Sequence, residues 1–326
     1  MKRVLTILAI LLLPLSVWAM TPVSDSDLSN VTGQAGVNIN ADLTMNITIG
    51  TMAWGDASGI DTGFAKWGWG TADTTAGYVG VTGFNITNLG IKARESDTYN
   101  GYTTTMLKPI TIDVGSGSSH GGATFVRFGL GSLQITMDSM TLTVALGAAG
   151  NDLTQVLGTA NLGPMGIYIN PASYVDIYAA SDVVGVNFTM NVIVDQFSMT
   201  YMSWGDTDGA VSNVGSGGVP WFVNSTAGYI GLDNLVVGGP ISISGSVRID
   251  VGTVNTGVYA AHGPTTVVHM VFGDNFTFNV TGPITANVRL GPNASLQIGA
   301  HELGNIYISS LNVAVADGSW VDIWAH

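Results

Sequence analysis

The chain has 326 residues, a formal net charge of −13 and no cysteine; 46% of its residues are hydrophobic and 10% charged. The acidic balance argues against binding nucleic acid or anionic lipid through charge. The missing cysteines exclude a disulfide framework and lipid attachment at a cysteine, so stability has to come from buried area, for which this length is ample.

Lys2-Arg3, the apolar run Val4 to Leu15 and Val17-Trp18-Ala19 read as a secretory signal peptide over residues 1–19, cleaved after Ala19. The run is shorter than the roughly 20 residues of a spanning helix. Removing 19 residues leaves 326 − 19 = 307, with 7 − 22 = −15 formal charges. Residues 20–36 hold the one helix-like stretch, Thr21 to Gln34, with Ser24 as N-cap and Gly33 as stop. The period then changes to two. Ile39, Ala41, Leu43, Met45, Ile47 and Ile49 alternate with polar residues, the pattern of a half-buried strand. It recurs at Ile110 to Val114, Leu133 to Met137, Met140 to Leu146, Ile241 to Val251, Phe276 to Val280, Ile284 to Leu290 and Ile306 to Val315, with Gly, Asn and Asp between the runs. Forty-four glycines leave no room for a helical domain.

The chain is also written twice. Trp54-Gly55-Asp56 returns as Trp204-Gly205-Asp206, Ala76 to Gly80 as Ala227 to Gly231, and Ile112 to Gly115 as Ile249 to Gly252. Phe128-Gly129 and Leu146-Gly147 match Phe272-Gly273 and Leu290-Gly291. Ile167-Tyr168-Ile169 matches Ile306-Tyr307-Ile308, and Tyr174 to Tyr178 matches Trp320 to Trp324. The block order is constant and the spacers vary, as loops absorbing insertions would do. The expected units are a first β repeat over 37–183 and a second over 184–326. Ser181-Asp182-Val183 is too short for a flexible linker, so the halves should pack together or share a sheet.

These features predict an all-β fold, two tandem repeats of antiparallel strands forming a sandwich or flattened β-roll. A transmembrane β-barrel satisfies the same alternation with its apolar face toward lipid. The chain end, Trp324-Ala325-His326, departs from the terminal aromatic usual in bacterial barrels.

Asp206-Thr207-Asp208-Gly209 is the sharpest local motif, with Asp56-Ala57-Ser58-Gly59 and Asp61 as its counterpart. Alternate carboxylates before a glycine can present oxygen to calcium, which makes Asp206, Asp208, Asp56 and Asp61 candidate ligands. A tight turn accounts for the same residues more simply, and no bidentate Glu follows at the right distance. His120-Gly121 and His262-Gly263 are repeat equivalents in loops, and no pair has zinc spacing. No nucleophile elbow, phosphate loop or dinucleotide fingerprint is present, so the expectation is a non-enzymatic protein. Trp54 and Trp204 are expected as core plugs at equivalent strand ends, whereas Trp67 and Trp69 could form an exposed platform for a glycan.

Val23-Ser24-Asp25-Ser26-Asp27-Leu28-Ser29-Asn30-Val31-Thr32-Gly33-Gln34-Ala35-Gly36-Val37 resembles the mature start of a family of exported Gram-negative proteins. Its members carry an L-S-x-V-T-G-Q-A-G-like motif and are described as Fil-type pilus assembly proteins or as uncharacterised. Trp204 to Gly209 is also similar to theirs. The resemblance implies a cell-surface or filament-associated role and supplies no catalytic residue. The reading that results is an exported surface protein, structural or adhesive. Alternatives are an outer-membrane pore and an extracellular calcium- or glycan-binding module. Ile39 to Ile49 and Val186 to Met202 carry no basic residue. At least one of them is expected at a sheet edge, where it could join a second copy or pilus and surface proteins by strand addition.

Overall fold

The computed structural model describes residues 36–57, 75–93, 98–99, 102–103, 109–179, 185–206 and 227–324. The signal-like segment, the helix-like stretch, Asp61, Trp67, Trp69, Ser181 to Val183 and Asp208 lie outside the described residues.

The fold is all-β, dominated by one 18-stranded sheet whose pairings are antiparallel throughout. Its strands join end to end into long courses that run back and forth. The first is β1 (Val37–Ile39) and β2 (Ala41–Asp56). The second is β3 (Gly77–Ala93) and, past the small hairpin β4 (Thr98–Tyr99) and β5 (Tyr102–Thr103), β6 (Ile110–Ser116). The third is β7 (Thr124–Gly129), β8 (Leu133–Met137) and β9 (Ser139–Gly147). The fourth is β10 (Gln155–Leu162), β11 (Met165–Ile169) and β12 (Tyr174–Ala179). The fifth is the single strand β13 (Gly185–Asp206). The sixth is β14 (Gly228–Val237) and β15 (Ile241–Val254), the seventh β16 (Thr265–Val280) and β17 (Ile284–Gly291). The eighth is β18 (His301–Ile308), β19 (Leu311–Ala314) and β20 (Trp320–Trp324).

Each course pairs with the next, and among the described residues the first and eighth do not pair with each other. Among the described residues the sheet is therefore open and not closed into a barrel. Residue rows cross all of it. Leu43, Ile91, Ile135, Ile167, Phe197, Val237, Ile284 and Ile308 stand side by side on one face. Thr48, Asn85, Thr141, Asn161, Ser203, Gly231, Arg289 and Glu302 make a row on the other. This is the sequence alternation made spatial: a period of two assigns each side chain to one face, and pairing register lines the faces up.

Irregularities keep the faces in phase. Asn88 and Asn234 have φ of 50° and 51° at bulges in β3 and β14, where asparagine tolerates the left-handed conformation. Pro164, Pro240 and Pro283 fall between strands, where no ladder donor is lost. The alternation read across Ile39 to Ile49 is interrupted at Asn40, which separates β1 from β2.

The best-buried part of the apolar face is central. Ile169 and Val194 are paired and buried, and Ile241 links Val194 to the buried Val280. Met137, Met199 and Val237 are buried nearby in the rows. Toward both ends of the courses, large apolar residues are exposed, among them Val114, Val251, Ile323 and the indole of Trp54.

The duplication is now a structural statement: the first four courses repeat as the last four. Trp54, Val79, Leu146 and Gln155 form one row, and Trp204, Ile230, Leu290 and His301 form its equivalent. A β-carbon on Gly80 would stand 2.6 Å from Leu153 Cδ1, and one on Gly231 would stand 2.6 Å from Leu296 Cδ1. Each repeat thus seats a loop leucine on a glycine of its second course. In two places the pairing corrects the sequence alignment. The fourth and eighth courses keep one offset, 301 − 155 = 304 − 158 = 322 − 176 = 146, which puts Ile167 opposite Val313 in the repeat and not opposite Ile306. Arg127 pairs with Asp113 and Asp176 as His269 pairs with Asp250 and Asp322, so Phe128-Gly129 and Phe272-Gly273 are displaced by two residues from true equivalence.

Candidate functional site: sheet edges and buried carboxylates

Two features stand out: the open edges of the sheet, and a carboxylate cluster in each repeat. The edges are β1 and β2 on one side and β18 to β20 on the other. Neither edge contains Lys, Arg or Pro, the residues that usually blunt a free edge. Instead they carry exposed apolar and aromatic side chains: Met52 and Trp54 on the first, Tyr307, Ile308 and Val313 on the second. Of the two segments, at least one of which is expected at an edge, Ile39 to Ile49 lies there. Val186 to Met202 does not: β13 is paired on both sides, with β10, β11 and β12 on one and β14 and β15 on the other.

Trp54 and Trp204 do occupy equivalent strand ends, but neither is a core plug. Trp54 is 81% exposed and Trp204 42%. The difference has a local cause. Trp204 has a neighbouring course, and its indole lies over Gly158, where a β-carbon would stand 2.5 Å from ring atoms. Trp54 is on the outermost course and has no such bed.

The carboxylate clusters lie on the polar face. Asp176 of β12 is fully buried. Arg127 of β7 grips it through two bonds, Nε to Oδ1 at 2.7 Å and Nη2 to Oδ2 at 2.7 Å. His120, from the short 3-10 turn Ser118–His120, places Nε2 2.9 Å from Oδ2. Burial alone would raise the carboxyl's pKa, but the hydrogen bonds from Arg127 and His120 outweigh it and hold the group below its ordinary range. The same pair raises the Arg127 guanidinium. Arg127 also stacks on Tyr174, 4.0 Å from the ring centroid, and His120 lies against Phe125 and Tyr178.

In the second repeat Asp322 of β20 takes the place of Asp176, bonded by the Tyr259 hydroxyl and by His269 Nδ1. Tyr259 comes from the 3-10 turn Gly257–His262, the counterpart of the turn that carries His120. It meets Trp324 edge-on at 5.0 Å, in the place where His120 meets Tyr178 in a tilted contact at 4.4 Å. Tyr259 therefore does in the second repeat what His120 does in the first. The hydrogen bonds of Tyr259 and His269 lower the Asp322 carboxyl, and the Tyr259 hydroxyl is pushed up to about 12 by that same bond. Each cluster ties a loop and two neighbouring courses to one carboxylate. Both oxygens of Asp176 and both of Asp322 are engaged in this way, which ties the fold down.

Asp56 and Asp206 are the last residues of β2 and β13, opposite Gly77 and Gly228. Their partners in the motif, Asp61 and Asp208, lie outside the described residues. Among the described residues no three acidic or histidine side chains come together as metal ligands. Beside Asp206, a shallow concavity of about 550 Å³ is lined by Leu157, Trp204, Tyr229, Ile230, Leu290 and His301 among others.

Residues 1–114 match the model of a protein family described as a family of unknown function (DUF6160). The match ends inside β6, within the first repeat. No curated protein and no solved structure matches the chain.

Proposed function

We propose that this protein is an exported, non-enzymatic structural component of the cell surface that works by joining other protein through its sheet. The observation that carries the reading is the pair of open edges, free of Lys, Arg and Pro and lined with exposed apolar side chains. A protein that works alone commonly blunts such edges with lysine or proline, or covers them with a loop. The signal-like start and the L-S-x-V-T-G-Q-A-G resemblance support export and a filament or surface setting.

The geometry weighs against the pore. Along β13 the apolar face runs through Val186, Phe188, Met190, Val192, Val194, Phe197, Met199, Met202 and Trp204. At ~3.3 Å per residue that is ~60 Å of apolar face. A membrane strand needs about 9–11 residues for an apolar band of ~25 Å, so this face is about twice too long to be matched to a bilayer.

The test is localisation with processing. Protease shaving and N-terminal sequencing of envelope and extracellular fractions should find a surface-accessible chain beginning at Met20. A cytoplasmic chain with Met1 intact sinks the reading, and heat-modifiable mobility of a carbonate-resistant form would turn it toward the pore.

A further inference from the structure

The join between the two repeats shows how the outer edges can be used. Within the chain, the last course of repeat one (β10 to β12) pairs with the first course of repeat two (β13). Ala160 stands opposite Trp204, Asn161 opposite Ser203, Leu162 opposite Met202, Met165 opposite Met199 and Ile167 opposite Phe197. The equivalents of these two courses are the two free edges. The eighth course corresponds to the fourth at an offset of 146, and β2 corresponds to β13 at 204 − 54 = 150.

The internal register can therefore be carried over. It sets Ile306 opposite Trp54 of a neighbour, Tyr307 opposite Ala53, Ile308 opposite Met52, Leu311 opposite Ile49, Asn312 opposite Thr48 and Val313 opposite Ile47. Because both repeats keep the same side chains on the same faces, the transferred register matches the faces as well. Ile306, Ile308, Leu311 and Val313 meet Trp54, Met52, Ile49 and Ile47 on the apolar side, while Asn312 meets Thr48 on the polar side. A slip of one residue would put every pair on the wrong face.

A second observation is independent of the register. Gly158 has φ of 154°, and its missing β-carbon makes room for the Trp204 indole. Its equivalent, Gly304, has φ of 151°, and nothing lies within 4 Å of where its β-carbon would be. The bed is present in the eighth course without its tryptophan. On the opposite edge, Trp54 is present without its bed.

The geometry points to a second copy of this chain as the partner: the eighth course of one molecule pairs with β2 of the next, and Trp54 of the second lies over Gly304 of the first. The contact uses two different surfaces, so it is head-to-tail: each added copy presents a fresh edge, and the assembly grows beyond a self-complementary dimer as a filament or a ring. Backbone hydrogen bonds supply affinity and the alternating side chains supply register. This deepens the reading under Proposed function and rests on it.

The absence of cysteine makes the test clean. In the mature chain, Ala53→Cys with Tyr307→Cys places two thiols opposite each other only across the proposed joint. The expected result of mild oxidation is a reducible ladder of dimers and larger species. A cross-linked monomer alone, which would mean that the two edges close on each other, overturns the proposal, as does the lack of any species above monomer. Sedimentation of the chain without added cysteines should show multiples of the monomer mass, and Trp54→Ala should weaken that association at least ~10-fold while leaving the monomer folded, because this side chain is largely in solvent. Assembly unaltered by Trp54→Ala also overturns it. A chain that reaches the surface but stays monomeric overturns this inference alone, whereas a cytoplasmic chain overturns the reading it rests on.

Discussion

Asp176→Asn isolates the cluster that ties the first repeat together. The carboxylate is fully buried and accepts two bonds from Arg127 and lies in bonding distance of His120. Asparagine keeps the shape and one acceptor, but turns an amide toward a guanidinium that still carries its charge. Removing one partner of a buried ion pair costs roughly 3–5 kcal/mol. Arg127 is 39% exposed and can turn partly to water, which reduces the expected loss to about 2–4 kcal/mol. In a unit of this size each kcal/mol lowers Tm by roughly 2–4 °C, so the fall should be on the order of 5–15 °C. The comparison that makes the test specific is Asp322→Asn. Asp322 is more exposed, and its partner His269 is 40% exposed, so its loss should be the smaller. Urea denaturation of both variants, read by tryptophan fluorescence, decides the matter. A cost below 1 kcal/mol for Asp176→Asn, or a larger one for Asp322→Asn, would refute the assignment of the first cluster as the stronger tie.

The titration of these groups gives two pH tests. The Asp176 carboxyl is depressed in the folded chain, so its stabilisation is present above the ordinary aspartate pKa of about 3.9 and disappears as pH falls through the folded value; Asp176→Asn should flatten this acid limb, and an unchanged limb would count against it. Tyr259 is raised, so its contribution is present below the ordinary tyrosine pKa of about 10 and is lost as pH rises toward about 12. Stability of Tyr259→Phe should lack that alkaline decline, and an identical decline in the variant would place its origin elsewhere. Leu296→Ala empties a fully buried site over Gly231 and should cost roughly 2–5 kcal/mol, against less for Leu153→Ala, whose side chain is half-buried; denaturant midpoints give the ranking, and the reverse order would contradict it.

Strand alternation and duplication were readable in the sequence because both are local or literal. A side chain's face follows from its parity, and Trp-Gly-Asp repeated at a distance announces a copy. Pairing is neither local nor literal. Ile39 to Ile49 and Val186 to Met202 both lack basic residues and both alternate apolar with polar side chains over much of their length, yet one is the outermost course and the other lies at the middle of the sheet. What separates them is the number of neighbours the rest of the chain supplies, and the residues of the segment carry no record of that. The same gap explains the tryptophans. A large aromatic at a strand end reads as core when a covering layer is assumed, but whether Trp54 and Trp204 find cover depends on what lies beside their courses.

The carboxylate clusters were within closer reach. Asp113 and Asp250 sit inside one duplicated block, Asp176 and Asp322 inside another, and a charged residue kept in a strand that must bury a face has to meet a partner across the sheet. What the sequence concealed was the partner: Arg127 in one copy and His269 in the other, with His120 replaced by Tyr259. The two copies hold one carboxylate position with different donors, so the constraint is on the buried acid and not on any one base. In the edge tryptophans the constraint takes a different form. Trp204 has its glycine bed within the chain, whereas Trp54 and the bed at Gly304 stand at opposite edges. A duplication that had closed on itself would have joined these two. This one left both in solvent, and under the proposed joint a further copy would extend the sheet in the same way as the second repeat extends the first.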